Sequence, residues 1–392
     1  RATAISMSMP LGHAPYTDAR VDTFLENLLP DAEPIRRRMQ TTLGAESTRA
    51  FDLLAIAGRD CVGALQLLPD DMPIDVRRID ATPIDDHAIA AVLRDLAVTA
   101  PLGMRDLGDF RMSIAGAHEK TALLRGRDGW WLPRGATPTS HLLKPPIGPT
   151  RGGPDLSDSV ENEWLSMRLA RALGLPVANV EMASFEDVRV LVVERFDRRW
   201  SRDRSWLIRL PQEDVCQALG VSPALKYEAD GGPGIARVMT LLLSSEIPAE
   251  DRVTFLRANV VMWLLAAIDA HAKNYSLHLL PGGSMRLAPL YDIVSAYPAM
   301  ARRELHRSKI KLAMGVLSTS KHYRWADVRP RHWLSTAEAC AFPRSEMERV
   351  LDETRARIER AIVEVERVLP RRFPPSVSDP IFEGLRAMRG ES

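Results

Sequence analysis

Apolar positions in the first hundred residues recur at helical spacing. Val21, Phe24, Leu25 and Leu28 do so in DARVDTFLENLLPDAEPIRRRM, and DDHAIAAVLRDLAV repeats the pattern, so this region reads as helices punctuated by proline. From Phe110 the period shortens. FRMSIAGAHEKTALLR, WWLP and TSHLLKPP read as strands, with GRDG as a turn and Pro145 closing the last strand. SDSVENEWLSMRLARALGLP returns to the helical period: Ser157 or Ser159 caps it, Glu161 and Glu163 lie in its first turn, and Gly174 with Pro176 stops it. Two strands follow in VANVEMASFEDVRVLVVERFDRR, the second ending in Glu194, Arg195, Phe196 and Asp197. Beyond them alternation nearly vanishes. LPQEDVCQALG, GIARVMTLLLSS, EDRVTFLRANVVMWLLAAIDAHA, YRWADVRPRHWL and SEMERVLDETRARIERAIVEVERVL all read as helical.

The expected class is α+β and bilobal, with a β-rich N-lobe over 106–196, an all-helical C-lobe over 197–392 and an N-terminal subdomain over 1–105. Clefts between such lobes commonly hold ligands. Composition adds little, since 45% hydrophobic and 26% charged residues describe an ordinary globular chain. A net charge of +1 excludes a global field for nucleic acid or membrane. Three widely spaced cysteines, Cys61, Cys216 and Cys340, argue against a disulfide framework or zinc site and suit a reducing cytoplasm. The longest apolar run, near Val260 to Ile268, is too short to span a bilayer.

One bias changes the picture. Only seven of the 52 basic residues are lysine, so surface charge is generally arginine. Lysine is a compact point charge, and three of the seven, Lys120, Lys144 and Lys273, fall inside motif-like stretches.

In WLLAAIDAHAKNYSLHLLPGG a buried apolar run meets Asp269, His271, Lys273 and Asn274 within six residues. Polar residues at a helix end are commonly caps or solvated surface. Here Asp269 and Asn274 have the D-x-x-x-x-N spacing of a kinase catalytic loop, in which the Asp accepts the substrate proton and the Asn holds a metal. Asp292 in APLYDIVS returns after a hairpin-like segment as a second metal carboxylate, and Lys144 in SHLLKPP supplies a phosphate lysine on a small-lobe strand, with Glu163 or Glu161 as its ion-pair partner. YDI lacks the Gly of D-F-G, and AID lacks the His-Arg of H-R-D.

Taken together, SIAGAHEKTALL, HLLKPPIG, SVENEW, VVERFDR, RLPQEDVCQALG, KYEADGGPG, DAHAKNYS and LYDIVSAYP resemble the HipA serine/threonine kinases, toxins of bacterial HipBA toxin–antitoxin modules, over essentially the whole chain. The resemblance implies an ATP- and Mg2+-dependent protein kinase with a fold akin to protein and phosphoinositide kinases. The implied partners are a HipB-like helix-turn-helix antitoxin, operator DNA through that complex, and a protein substrate such as glutamyl-tRNA synthetase, whose phosphorylation halts translation. No membrane partner is implied.

Carried over residue by residue, the resemblance makes Asp269 the proton acceptor and Lys273 a charge neutraliser, sets His271 and Asn274 against phosphates and metal, and gives Asp292 to magnesium with Tyr291 beside the nucleotide. Lys144 becomes the phosphate lysine, Glu194, Arg195 and Phe196 the adenine hinge, and Asp197 a ribose contact. Ala115, Gly116, Ala117, His118, Glu119 and Lys120 match the phosphate-covering loop, and Ser113 the autophosphorylated serine whose modification silences the kinase. The loop is not a Walker A motif, because GK[ST] is missing. Arg1 already aligns within the family's first subdomain, so the extreme N-terminal segment is expected to be shortened. Two other readings stand: a catalytically silent co-repressor acting through antitoxin and DNA, and a small-molecule or lipid kinase using the same phosphate machinery.

Overall fold

The computed structural model describes residues 2–70, 75–98, 119–150 and 152–390. Its largest sheet has six strands in the spatial order Ala81–Ile84, Trp130–Pro133, Thr121–Arg125, His141–Lys144, Val188–Glu194 and Val180–Phe185. Every neighbouring pair is antiparallel. The strands expected between Phe110 and Glu194 are present where described; the edge strand Ala81–Ile84 was not foreseen, because Pro83 interrupts its pattern.

One face of this sheet is a core. Leu123, Leu143, Val190 and Val192 pack in one cluster with Ile89 and Leu93 of the helix Asp86–Val98, Leu53 and Leu54 of the helix Ala50–Ala57, and Met39 of the helix Glu33–Leu43. Each such side chain contributes about 1.5–3 kcal/mol when fully buried. The N-terminal helices and the sheet therefore share one interior. Arg1–Pro145, Asn179–Ala224 and His278–Gly283 form one compact unit, and Pro146–Ala178, Leu225–Leu277 and Ser284–Ser392 form the other. These units interleave along the chain, whereas the expected divisions at 105 and 196 are contiguous.

The second unit contains the helices Ser159–Ala172, Pro248–Leu264, Pro330–Ala339, Arg344–Glu366 and Pro375–Arg389. In Arg344–Glu366 the buried positions Met347, Val350, Leu351, Thr354, Ile358, Ala361, Ile362 and Val365 follow the i, i+3, i+4 stripe that its sequence predicts.

Three expectations need correction. The C-lobe is not all-helical, because Lys311–Leu317 pairs antiparallel with Lys321–Arg324 and further short strands lie beyond residue 197. Its longest strand is an apolar run whose burial is nearly continuous, which periodicity alone does not distinguish from a helix. The helix Ser159–Ala172 is capped by neither proposed serine: Asp158 occupies the cap, Ser159 Oγ accepts the Ile147 amide at 3.0 Å, and Ser157 Oγ donates to Asp155. The final helix Pro375–Arg389 was missed because Pro380 lies inside it; burial of Val377, Ile381, Phe382, Leu385 and Met388 offsets the lost hydrogen bond.

Candidate active site

The helix that leads to Asp269 ends at Leu264, five residues earlier than the residue itself. Its end is a Schellman motif: the Ala266 amide donates to Trp263 O at 3.1 Å and the Ala267 amide to Met262 O at 2.8 Å. Ala266 sits at φ 49°, a left-handed position usually given to glycine. The remaining carbonyls are met by distant donors. Trp325 Nε1 reaches Trp263 O at 2.8 Å, Tyr297 Oη reaches Leu264 O at 3.0 Å, Ser295 Oγ reaches Leu265 O at 2.6 Å, and the Ala296 amide reaches Ala266 O at 3.0 Å. A buried helix end is thus fully satisfied, and the chain leaves it in a fixed direction.

Asp269 emerges exposed, while His271, Lys273 and Asn274 are buried. The loop closes on itself. Asn274 Nδ2 donates to Asp269 O at 2.8 Å, the His271 amide donates to the same carbonyl at 2.8 Å, and Ala272–Asn274 forms a 3-10 turn. Tyr227 Oη donates to Asp269 Oδ1 at 2.6 Å. Burial pushes the His271 imidazole below its ordinary pKa, which keeps it neutral at pH 7, and its buried Nδ1 has no partner among the described residues.

Tyr291 Oη donates to Lys273 O at 2.7 Å and lies 2.7 Å from Ser276 Oγ. Its hydroxyl therefore fastens the following residue to the loop, and only its half-buried ring remains for a nucleotide. Asp292 is exposed at φ 60°, an uncommon conformation that Asp tolerates better than most residues. Anchors hold it from both sides: the Leu290 amide bonds Pro176 O at 2.9 Å, and the Ser295 amide bonds Asn162 Oδ1 at 2.9 Å. Asn162 Nδ2 in turn donates to Ser295 O at 2.8 Å.

The donor set fits a divalent ion that also takes phosphate oxygens. With Nδ2 spent on Asp269 O, Asn274 offers Oδ1, and Asp292 offers an exposed carboxylate. Among the described residues no group of three or more His, Cys, Asp or Glu side chains suits a metal held by protein alone.

In the first unit, Lys144 ends its strand opposite Leu191. At the hinge, the Glu194 amide bonds Asn179 O and the Arg195 amide bonds Ser140 O, both at 2.9 Å, so these two amides are engaged within the protein. Asp197 is not placed for a ribose. Its Oδ1 accepts Arg195 Nε at 3.0 Å, and its Oδ2 accepts Arg195 Nη2 at 2.8 Å, Arg198 Nη1 at 2.9 Å and the Gly63 amide at 2.7 Å. Asp60 completes this buried network, accepting Arg195 Nη1 at 3.0 Å and Arg198 Nη2 at 2.8 Å, with Arg209 at 3.5 Å. Burial alone would raise the Asp60 carboxyl, but the three guanidiniums outweigh it and hold it well below the carboxylate range. Burial lowers Arg209 to about 10. Asp197 and the Arg195 side chain thus belong to the frame beneath the hinge, while Phe196 stacks edge-on against His278 at 5.6 Å.

Glu119 pairs with Arg38. Ser113, Ala115, Gly116, Ala117 and His118 lie outside the described residues. Tyr227, Asn162 and Ser295 escaped the sequence reading, because a lone tyrosine or buried amide carries no spacing signal. Beside Tyr227, Lys226 O accepts the Ala272 amide at 3.2 Å.

Residues 112–362 match the HipA-like C-terminal domain and residues 1–68 the HipA N-terminal domain. The chain belongs to the HipA family. Y4mE of Sinorhizobium fredii, whose kinase label is provisional, is 39% identical over 305 residues, covering 76% of this chain and 70% of that protein. The serine/threonine-protein kinase toxin HipA of Shewanella oneidensis is 30% identical over 290 residues, covering 71% of this chain and 64% of that relative, less than two thirds of its length. A solved Shewanella oneidensis complex of HipA, HipB and operator DNA matches with a TM-score of 0.79 at 25% identity, over 95% of this chain and 85% of that one. HipA-family membership makes the chain a kinase of the serine/threonine type with an α+β kinase-like fold. Among the described residues no helix is long and apolar enough to cross a membrane.

Proposed function

We propose that this HipA-family chain is an ATP- and Mg2+-dependent toxin kinase that phosphorylates a serine or threonine hydroxyl on a component of translation, with glutamyl-tRNA synthetase as the foremost candidate. The observation that carries the reading is the closed loop from Asp269 to Asn274, with Asp269 exposed at its mouth. Asp269 accepts the acceptor hydroxyl proton as the new O–P bond forms and the bond to departing ADP breaks. Asn274 Oδ1 and the Asp292 carboxylate would hold magnesium, which when bound would supply charge neutralisation on the phosphates. Lys273 adds a fixed positive charge at the transferring group, and Lys144 is the proposed phosphate lysine. Tyr291 offers its ring to the nucleotide, and neutral His271 offers Nδ1 as a hydrogen-bonding group. Ser113 is the proposed site of inhibitory self-phosphorylation, and Ala115 to His118, with Lys120, the loop over the phosphates.

The likeness to a complex containing HipB and operator DNA supports a HipB-like antitoxin as partner and DNA contact through it. A silent co-repressor has no use for a base and a metal ligand closed into one loop. ADP release from Mg-ATP, measured for the wild type and Asp269→Ala, tests the reading. Magnesium-dependent release that Asp269→Ala abolishes supports it; equal release by both overturns it.

A further inference from the structure

The stretch Lys226 to Gly234, KYEADGGPG, has no part in the phosphate or metal chemistry above, yet it is built against the catalytic loop. Three contacts within the second unit fix it there. Lys226 O accepts the Ala272 amide at 3.2 Å; Tyr227 Oη donates to Asp269 Oδ1 at 2.6 Å; and the Tyr227 ring meets the His271 imidazole edge-on, with centroids 5.0 Å apart. The far side of the stretch is equally tied. Glu228 Oε2 accepts the Gly315 amide at 2.7 Å and Oε1 accepts Lys321 Nζ at 2.5 Å, while the Gly232 amide folds back on Tyr227 O at 3.0 Å. A side chain at Gly232 would collide with the carbonyls of Leu225 and Tyr227, so the turn depends on glycine there.

A tyrosine held at both ends of its segment and bonded to one oxygen of an exposed aspartate restricts that aspartate. Without the phenol, the Asp269 carboxylate could rotate freely into solvent; with it, Oδ1 is occupied and Oδ2 is the oxygen left for an incoming hydroxyl. We infer that Tyr227 is a positioning residue for phosphotransfer, fixing the Asp269 carboxylate so that Oδ2 receives the acceptor proton. The inference rests on the kinase reading of Asp269. It adds a residue 42 positions upstream of the base to the working machinery. A misplaced catalytic group costs about 10- to 100-fold in rate even when binding is intact.

The test is ADP release from Mg-ATP by the full chain, with Tyr227→Phe, Asp269→Asn and the double variant beside the wild type. Tyr227→Phe is expected to lower kcat about 10- to 100-fold with KM for Mg-ATP unchanged. In the Asp269→Asn background the same substitution is expected to cause no further loss, because the group it positions has already lost its basicity. A wild-type kcat in Tyr227→Phe, or an equal fractional loss in both backgrounds, overturns the inference; the second outcome marks a merely structural tyrosine even if the variant melts early. Full activity in Asp269→Asn, or a wild-type chain that releases no ADP, overturns the kinase reading and this inference with it. Loss in Asp269→Asn with none in Tyr227→Phe overturns the inference alone.

Discussion

The side-chain amide of Asn274 is bonded to the main-chain carbonyl of Asp269, Nδ2 to O at 2.8 Å, so the two ends of the D-x-x-x-x-N spacing close one ring. The same bond assigns the amide its polarity. The donor faces the loop, and the oxygen is the atom that a metal would take.

Asn274→Asp therefore has two defects. It removes the donor from Asp269 O and sets a carboxylate oxygen beside that carbonyl, while retaining a ligand oxygen. The variant is expected to lose at least about 100-fold in ADP release, with little recovery at high magnesium, because position as well as ligation is lost. Magnesium titration of the rate checks this. Recovery to the wild-type rate at high magnesium would mean that ligation alone was impaired.

The frame beneath the hinge predicts stability instead. Asp60 and Asp197 sit among Arg195, Arg198 and Arg209 with almost no exposure. Asp60→Ala leaves buried guanidiniums uncompensated and is expected to cost about 3–5 kcal/mol, read as a large fall in urea midpoint. The acid dependence has a definite sign. Both carboxyls lie below their unfolded values, so the stability they confer is fully present above the ordinary carboxylate range, near pH 4, and is lost as pH falls through and below it. Melting curves between pH 6 and 3 should show that loss, roughly in proportion to these two groups.

Glu213 predicts the opposite slope. Burial pushes its carboxyl up to about 8, against the Ser6 hydroxyl and the Met7 amide, which donates to Oε1 at 2.7 Å; Oε2 is buried with no hydrogen-bond partner among the described residues. The folded chain therefore holds a proton that the unfolded chain releases near pH 4.3, and stability falls as pH rises from there to about 8. Glu213→Gln keeps the acceptor for Met7 and removes the charge. It is expected to stabilise the chain by about 1–3 kcal/mol at pH 8.5 and by little at pH 5, measured by thermal melting at both values.

The loop stood out as a candidate site because Asp269, Asn274 and Asp292 have the chain order and spacing of a kinase catalytic loop followed by a metal carboxylate. What positions them was not. Ala266 ends the helix in a conformation that usually advertises itself with glycine, and the helix's terminal carbonyls are met by Ser295, Tyr297 and Trp325 from further along the chain. Asp197 looked like a ribose ligand because its neighbours resemble a hinge; its true partners include the Gly63 amide, 134 residues away. Long-range polar pairing leaves no period in a sequence. The sheet was legible because turn and proline signals, GRDG and Pro145 among them, bound its short apolar runs. The strand Lys311–Leu317 was not, being an apolar run that periodicity alone does not distinguish from a helix.

The central claim is that this chain transfers phosphate with Asp269 as base. The most direct measurement is the intact mass of dephosphorylated wild type and Asp269→Ala before and after incubation with Mg-ATP, followed by peptide mapping. The account predicts one added phosphate, on Ser113, in the wild type and none in the variant. Phosphate gained equally by both, or by neither, would contradict it.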